Sequence, residues 1–353
     1  MTHFLSDELV LDSTHHTKMT PYRSQNDPLA PYDNSTEHNR HNGQIKLLLS
    51  EVEFLTEVHL TRFYRNGVCH GTTPPLPQFI CVYAGGCPGH HIDDILNLFP
   101  NVFFVIIDPR FNDRQYKKYQ KTWSAKRVAI CAKHFDDGTA VAIAEWVSGR
   151  KVAHHWVHER LNTLHIKQEE VGYDNLLLIS DVRTDAYNAD AIDMDMQAQS
   201  RWFKQMNASA GLLKFRLPFC TKKWTETLSL HHGLYPYLDG VVFLPIYGPP
   251  STTECRLYVR QGCKEIYYRV KDHESRMAAF ETEDRKSHYT DEIQKFSSFD
   301  QAAEACVMHK YRFLMMKYGY FRTGRTKYSS VTDIQEAEDD YQLREIEIPK
   351  SYL

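Results

Sequence analysis

The segment Ala84-Gly85-Gly86-Cys87-Pro88-Gly89 lies between an apolar run, Phe79 to Tyr83, and a segment with Ile92, Ile95, Leu96 and Phe99 at helical spacing. A second apolar run, Val102 to Ile107, ends on a carboxylate, Asp108. Glycines let a backbone approach a ligand with no Cβ in the way. The helix start beyond them offers unpaired N–H groups to a ligand's polar atoms. Asp108 falls about twenty residues past the glycines, the interval at which nucleotide-binding βαβ units place an acid on a ribose. This order of strand, glycine turn, helix, strand and acid points to an adenosine-containing cofactor. A tight βα turn with no ligand has the same outline. The run fits the dinucleotide pattern G-x-G-x-x-G poorly. A proline before the last glycine suits S-adenosylmethionine (AdoMet) better, because AdoMet has no pyrophosphate to cradle.

Four further charges stand in apolar surroundings. The run Asn175 to Ser180 discharges Asp181 at its carboxyl end, where ligands of open α/β sheets bind. Lys214 lies inside Gly211-Leu-Leu-Lys-Phe-Arg216, where a lysine either snorkels at a strand end or is held for function. Glu254 opens a later apolar run, and Lys46 opens a long helical pattern. Each alone reads as an ordinary salt-bridge residue or solvated charge. Cys87, His90 and His91 have no second Cys/His pair nearby at ligand spacing, and structural zinc takes four ligands, so no metal is expected.

The elements that must position these residues alternate. Helical spacing runs from about 43 through Ile45, Leu48, Leu49, Val52, Leu55 and Val58. Strands are expected at 79–84, 102–107, 127–132, 175–180 and 210–217, and helices at 90–99, 113–121, 139–166 and 194–207. Such alternation argues for an open, mostly parallel sheet covered on both faces. Segments 241–246, 253–260 and 263–270 are closely spaced strands and add an antiparallel edge. A last helix is expected at 299–317, with Ser298 as its N-cap. Residues 1–40 read as a polar arm, 41–324 as the globular domain and 325–353 as an acidic polar tail.

The chain has 353 residues, 25% of them charged, and a net charge of −3. No apolar run reaches about eighteen residues, which excludes a membrane-spanning helix. The N-terminus carries no signal-peptide pattern. Eight cysteines, several in apolar runs, read as reduced core thiols. Basic clusters at 114–127, 214–223 and around Lys310 and Arg312 admit nucleic acid through local patches rather than bulk charge.

Seven blocks, in order, carry a resemblance: GQIKLLLSEVEFL, VYAGGCPGHHI, VIIDPRFND, LLLISDVR, LLKFRLPF, TTECRLYV and MHKYRFLMMKY. With them the chain, from about Gly43 to about Tyr320, resembles the poxvirus-type cap-specific mRNA (nucleoside-2′-O-)-methyltransferases of large DNA viruses. In that family the methyltransferase is also the small stimulatory subunit of the viral poly(A) polymerase. The resemblance implies a Rossmann-like AdoMet-dependent methyltransferase fold and conversion of cap 0 to cap 1 on N7-methylguanosine-capped mRNA. It implies Lys46, Asp181, Lys214 and Glu254 as catalytic residues. It also implies an AdoMet site of Gln44, Gly85, Gly89, His91, Asp108 and Arg110, with Phe135 or His134 beside the adenine. The cap guanine would stack on Phe219 and on a second aromatic, Tyr32 before Tyr22, with Glu274 reading its N–H edge. Capped mRNA and the catalytic subunit of a viral poly(A) polymerase are the implied partners. The host cytoplasm, in viral factories, and the virion are the implied locations.

On this scaffold Lys214 is assigned as the base for the ribose 2′-hydroxyl: desolvation and the second cation Lys46 work to lower a lysine's pKa, and Asp181 and Glu254, which hold both lysines, partly oppose that. Three departures stand out. Thr221 sits near where the family has a second cap-reading acid, the 139–172 segment is long, and the tail is acidic where the family's is basic. A non-catalytic RNA-binding subunit keeps the same fold without needing a lysine in an apolar strand. A nicotinamide-dependent oxidoreductase shares the architecture but not the glycine pattern.

Overall fold

The computed structural model describes residues 37–65, 76–111, 127–150, 156–166, 171–185, 188–217, 233–248, 254–270 and 298–318, with isolated positions between 272 and 296; of 37–44, 64–65, 289–290 and 295–296 it describes the backbone only. The chain opens with α1 (Glu37–Arg65) and continues through β1 (Phe79–Ala84), α2 (Ile92–Leu98), β2 (Val102–Ile107), β3 (Val128–Cys131), α3 (Asp137–Val147) and α4 (Trp156–Leu161). There follow β4 (Leu176–Ser180), α5 (Ala189–Met206), β5 (Ala210–Phe215), β6 (Leu234–Leu238), β7 (Val241–Phe243), β8 (Cys255–Arg260) and β9 (Glu265–Arg269). Short strands β10 (Tyr289–Thr290) and β11 (Lys295–Phe296) precede α6 (Phe299–Lys317).

Seven strands form one sheet in the order β3-β2-β1-β4-β5-β8-β7. The first five are mutually parallel, and β8 runs antiparallel to both β5 and β7. Every residue of β1, β2, β3, β4 and β5 is buried. That is why these strands read as continuous apolar runs rather than as alternation. Helices α1, α2 and α6 pack together, as do α3, α4 and α5, and the two groups cover the sheet's faces. This is a Rossmann-like α/β fold, mostly parallel, with the antiparallel edge that the sequence indicates. The strand order reverses at β1, which places a crevice beyond the carboxyl ends of β1 and its neighbours. No helix among the described residues is long and apolar enough to cross a membrane.

Three local expectations need correction. The helix expected over 139–166 is two helices. Gly149, at φ +69°, takes the left-handed conformation that ends α3. The strand expected over 263–270 does not extend the main sheet. It is β9, paired antiparallel with β6 in a separate ribbon. β6 itself is absent from the sequence reading because Pro236 interrupts its pattern. A two-stranded ribbon has only edges, and edges tolerate proline. Helix α5 begins at Ala189, five residues before the expected start, where Asn188 Oδ1 accepts the N–H groups of Asp190 and Ala191.

The α1–α6 contact contains a titrating acid. Lys310 Nζ lies 3.0 Å from Glu57 Oε1, and half-buried Glu53 stands near both. Burial raises the Glu53 pKa from 4.5 to about 7, against the attraction of Lys310 and with the repulsion of Glu57. A folded-state pKa above the unfolded one gives stability that is full below about pH 4.5 and is lost as pH rises through about 7. Glu53→Gln is expected to flatten that decline. The thermal midpoint of the wild type should fall more between pH 5 and pH 8 than that of the variant, and equal slopes would contradict the assignment.

Candidate functional site

Lys46, Asp181, Lys214 and Glu254 come from four separate elements and meet at one end of the sheet. Lys46 lies in the amino-terminal part of α1, Asp181 follows β4, Lys214 is the fifth residue of β5, and Glu254 precedes β8. Because β8 is antiparallel, its start lies at the carboxyl end of β5. Lys214 Nζ is 3.0 Å from Asp181 Oδ1 and 3.6 Å from Glu254 Oε1. Lys46 Nζ is 3.4 Å from the same Glu254 oxygen. All four side chains retain only 10–19% of their exposure.

Two arginines complete the cluster. The Arg256 guanidinium pairs with Asp181 Oδ1, the oxygen that Lys214 also holds. Arg183 Nη2 lies 3.3 Å from Glu254 Oε2, and its Nη1 lies 3.8 Å from Asp195. Neither arginine belongs to the set expected from sequence. Position gave a signal for both: Arg256 lies two residues past Glu254 and Arg183 two past Asp181, and extended chain places i and i+2 on one face.

The charges set one another. Burial works to raise the Asp181 pKa, but Arg256 and Lys214 outweigh it and hold the carboxyl at about 2. Burial likewise opposes ionisation of Glu254, and Lys214, Lys46, Arg256 and Arg183 drive its pKa well below the carboxylate range. Burial lowers the Lys46 pKa, with Arg256 and Lys214 adding to the fall and Glu254 opposing it. A cluster coupled this closely exchanges protons as a unit.

Lys214 is fixed through its backbone as well. The pairing of β4 with β5 ends at Ser180 and Leu213, so the Lys214 peptide projects past the neighbouring strand. Gln199 of α5, fully buried, takes over that strand's role. Its Oε1 accepts the Lys214 N–H at 3.0 Å, and its Nε2 donates to the Lys214 carbonyl at 3.1 Å. No sequence signal marked Gln199.

The crevice at the strand-order reversal lies alongside. Gly85 has φ +84°, and a Cβ there would come within 2.9 Å of the Asp181 carbonyl carbon and the Val182 nitrogen. Glycine is therefore required by the close approach of the β4 exit, quite apart from any ligand. Gly89 also has positive φ, +67°. Asp108 is 1% exposed and accepts four donors: the N–H groups of Cys87 (3.0 Å) and Arg110 (2.8 Å), and Arg110 Nε (3.1 Å) and Nη2 (2.8 Å). These fill the roughly four lone-pair sites of a carboxylate. A ribose could reach Asp108 only by displacing the exposed Arg110 side chain.

His91 turns inward. Its Nε2 is 3.1 Å from Glu51, whose Oε1 also accepts the Tyr83 hydroxyl at 2.6 Å, and all three residues are buried. Burial alone would lower the His91 pKa, but the Glu51 carboxylate outweighs it and raises the value. Phe135 is buried edge-to-face on Trp202, with centroids 4.8 Å apart, whereas His134 is exposed. The Gln44 side chain and all of Tyr22, Tyr32, Phe219, Thr221 and Glu274 lie outside the described residues.

Residues 24–153 match the family model described as poly(A) polymerase regulatory subunit. That span takes in Lys46, the glycine turn and Asp108, and stops short of Asp181, Lys214 and Glu254. Comparison with curated proteins finds no match. Among solved structures, the chain aligns with human methyltransferase-like protein 13 in complex with SAH at 13% identity and a TM-score of 0.28, over 73% of this chain and 96% of that one.

Replacing Gln199 with Leu removes both of its hydrogen bonds and leaves the Lys214 N–H and carbonyl buried without partners. Each orphaned group costs roughly 1–3 kcal/mol. Denaturant unfolding of Gln199→Leu is expected to show a loss in that range or larger, and a loss below about 1 kcal/mol would contradict the role assigned to the clamp.

Proposed function

We propose that this chain is an AdoMet-dependent methyltransferase acting on the ribose 2′-hydroxyl of the first transcribed nucleotide of N7-methylguanosine-capped mRNA. The observation that carries this reading is the convergence of Lys46, Asp181, Lys214 and Glu254 beside the strand-order reversal. Nothing in the packing of a Rossmann-like sheet requires two lysines and two carboxylates to meet there.

The crevice suits the cofactor. Ser180 Oγ is buried with no hydrogen-bond partner among the described residues, at the β4 end that faces the glycine turn. Gly85 and Gly89 bring no side chain to the turn at their own positions, and Asp108 is available to ribose hydroxyls once Arg110 swings away. AdoMet, when bound, supplies the electrophilic sulfonium methyl group.

The chain's own residues do the remaining work. Lys214, once it has shed its own proton to solvent, orients the 2′-oxygen and receives the hydroxyl proton as the oxygen–carbon bond forms. Lys46 shares Glu254 Oε1 with Lys214, so a proton gained by one lysine is felt at once by the other. Burial drives Lys46 toward its neutral form and relieves the charge the pair must carry. Asp181 and Glu254, ionised throughout the neutral range, fix both lysines in direction. Most of the acceleration comes from holding the reacting oxygen in line with the methyl group. Phe219 and Tyr32 are the proposed rings around the cap guanine, with Glu274 at its N–H edge.

A second reading is supported by the family match. Its description names a regulatory subunit of poly(A) polymerase, and the matched residues exclude three of the four converging charges. On that reading the chain binds RNA and a catalytic polymerase subunit. The two roles are compatible in one molecule.

Lys214→Met is expected to abolish methyl transfer to capped RNA while calorimetry shows AdoMet still bound. A variant retaining more than about a tenth of wild-type turnover has lost less than roughly 1.4 kcal/mol, too little for the group at the reacting oxygen. Phe219→Ala is expected to raise the KM for N7-methylated capped RNA and shrink the preference over unmethylated caps, with AdoMet affinity intact. A ring on a cationic base is worth about 0.5–2 kcal/mol. A folded variant that keeps the full preference would place cap stacking elsewhere.

A further inference from the structure

The opposite end of the sheet carries a second cluster that the proposed chemistry does not use. A cleft of about 90 Å³ opens there, at the amino ends of β1 and β5, the turn before β4 and the carboxyl end of antiparallel β8. Arg62 and Arg260 line it, together with Thr61, Ser209, Asp174 and Tyr258. Arg62 lies sixteen residues after Lys46 on α1. At 1.5 Å per residue that is about 24 Å along the helix, so the cleft is remote from the converging lysines.

Its guanidinium groups hold donors in reserve. Arg62 Nη1 lies 3.3 Å from Asp174 Oδ2, while its buried Nε has no acceptor among the described residues. Arg260 donates through Nε to the Tyr258 hydroxyl at 3.1 Å and lies over the Tyr258 ring, 5.2 Å from its centroid. Those contacts aim the fork and leave its outer nitrogens without an acceptor among the described residues. Among the described residues, two guanidiniums against the one Asp174 carboxylate give the cleft a surplus positive charge. A cavity needs at least about 10–15 Å³ of such space to hold one water, so the cleft has room for a tetrahedral anion. A phosphate can accept from two guanidinium forks at once, which a single carboxylate does less well.

We propose that this amino-end cleft is a phosphate site, taking one phosphoryl group between Arg62 and Arg260. The group belongs either to an RNA strand or to free phosphate. Calorimetric titration of the full chain with inorganic phosphate is expected to show one saturable site, weakened at least fivefold by Arg260→Gln and by Arg62→Gln. Arg62→Lys serves if Arg62→Gln does not fold, because it keeps the charge and loses the fork. The source is read from an uncapped ten-nucleotide oligoadenylate. If its affinity falls in Arg260→Gln by a similar factor, the site holds RNA; if only phosphate binding falls, it holds the free anion. Either result supports the site. The proposal is overturned if phosphate does not saturate, if both arginine variants bind it as the wild type does, or if hexaglutamate binds at this cleft and phosphate does not.

Discussion

Lys214 and Arg256 face each other directly across the β5–β8 ladder. Like charges in that position repel, and here both are buried. Asp181 resolves the conflict by offering one carboxylate oxygen to both cations. Much of the surrounding architecture serves to deliver that oxygen. β4 must end at Ser180 so that Asp181 can turn toward β5, and the Asp181 N–H anchors the turn on the Ala84 carbonyl at 2.9 Å. Gly85 must be glycine because the Asp181–Val182 peptide presses against it. Arg183 and Thr184 then fasten the exit loop to Asp195 of α5. Removing Asp181 would leave two buried cations facing each other, a far larger penalty than losing one ion pair.

The same contact links the two halves of the proposed chemistry. Gly85 belongs to the cofactor turn and Asp181 to the charge cluster, and they touch through backbone. A shift of the turn therefore reaches Lys214 through one peptide and one carboxylate. On the other flank, Glu51 ties α1 to β1 and α2 through Tyr83 and His91, five residues along the helix from Lys46. The lysine on α1 is thus held in register with the glycine turn by a buried polar network. Such networks fix a single arrangement when their members find partners.

The parallel core was legible in the sequence because its strands are buried on both sides. Runs such as VFFVII leave little ambiguity when glycine turns bound them. The four converging charges were legible because a charge inside or at the end of an apolar run is conspicuous. The rest was hidden for physical reasons. Gln199 acts through its amide on another strand's backbone, a contact between residues fifteen apart that leaves no periodic trace. Arg183 and Arg256 resemble ordinary strand-end charges until the fold brings Arg256 to Asp181 and Arg183 to Glu254. His91 and Phe135 are expected on a cofactor from resemblance, and the structure gives their side chains buried contacts with Glu51 and Trp202 that the sequence does not show. β6 was lost to a single proline that only an edge strand permits.

The account rests on the claim that the cluster built on Asp181 acts on one ribose hydroxyl. The most direct measurement incubates the protein with tritiated AdoMet and three RNAs: N7-methylated capped, unmethylated capped, and N7-methylated capped with the first 2′-oxygen already methylated. Nuclease digestion then locates the label. The account predicts label on the 2′-oxygen of the first transcribed nucleotide, strongest with the N7-methylated cap and absent when that oxygen is blocked. Label on a base, label that survives the block, or no transfer from a protein shown to bind AdoMet would contradict it.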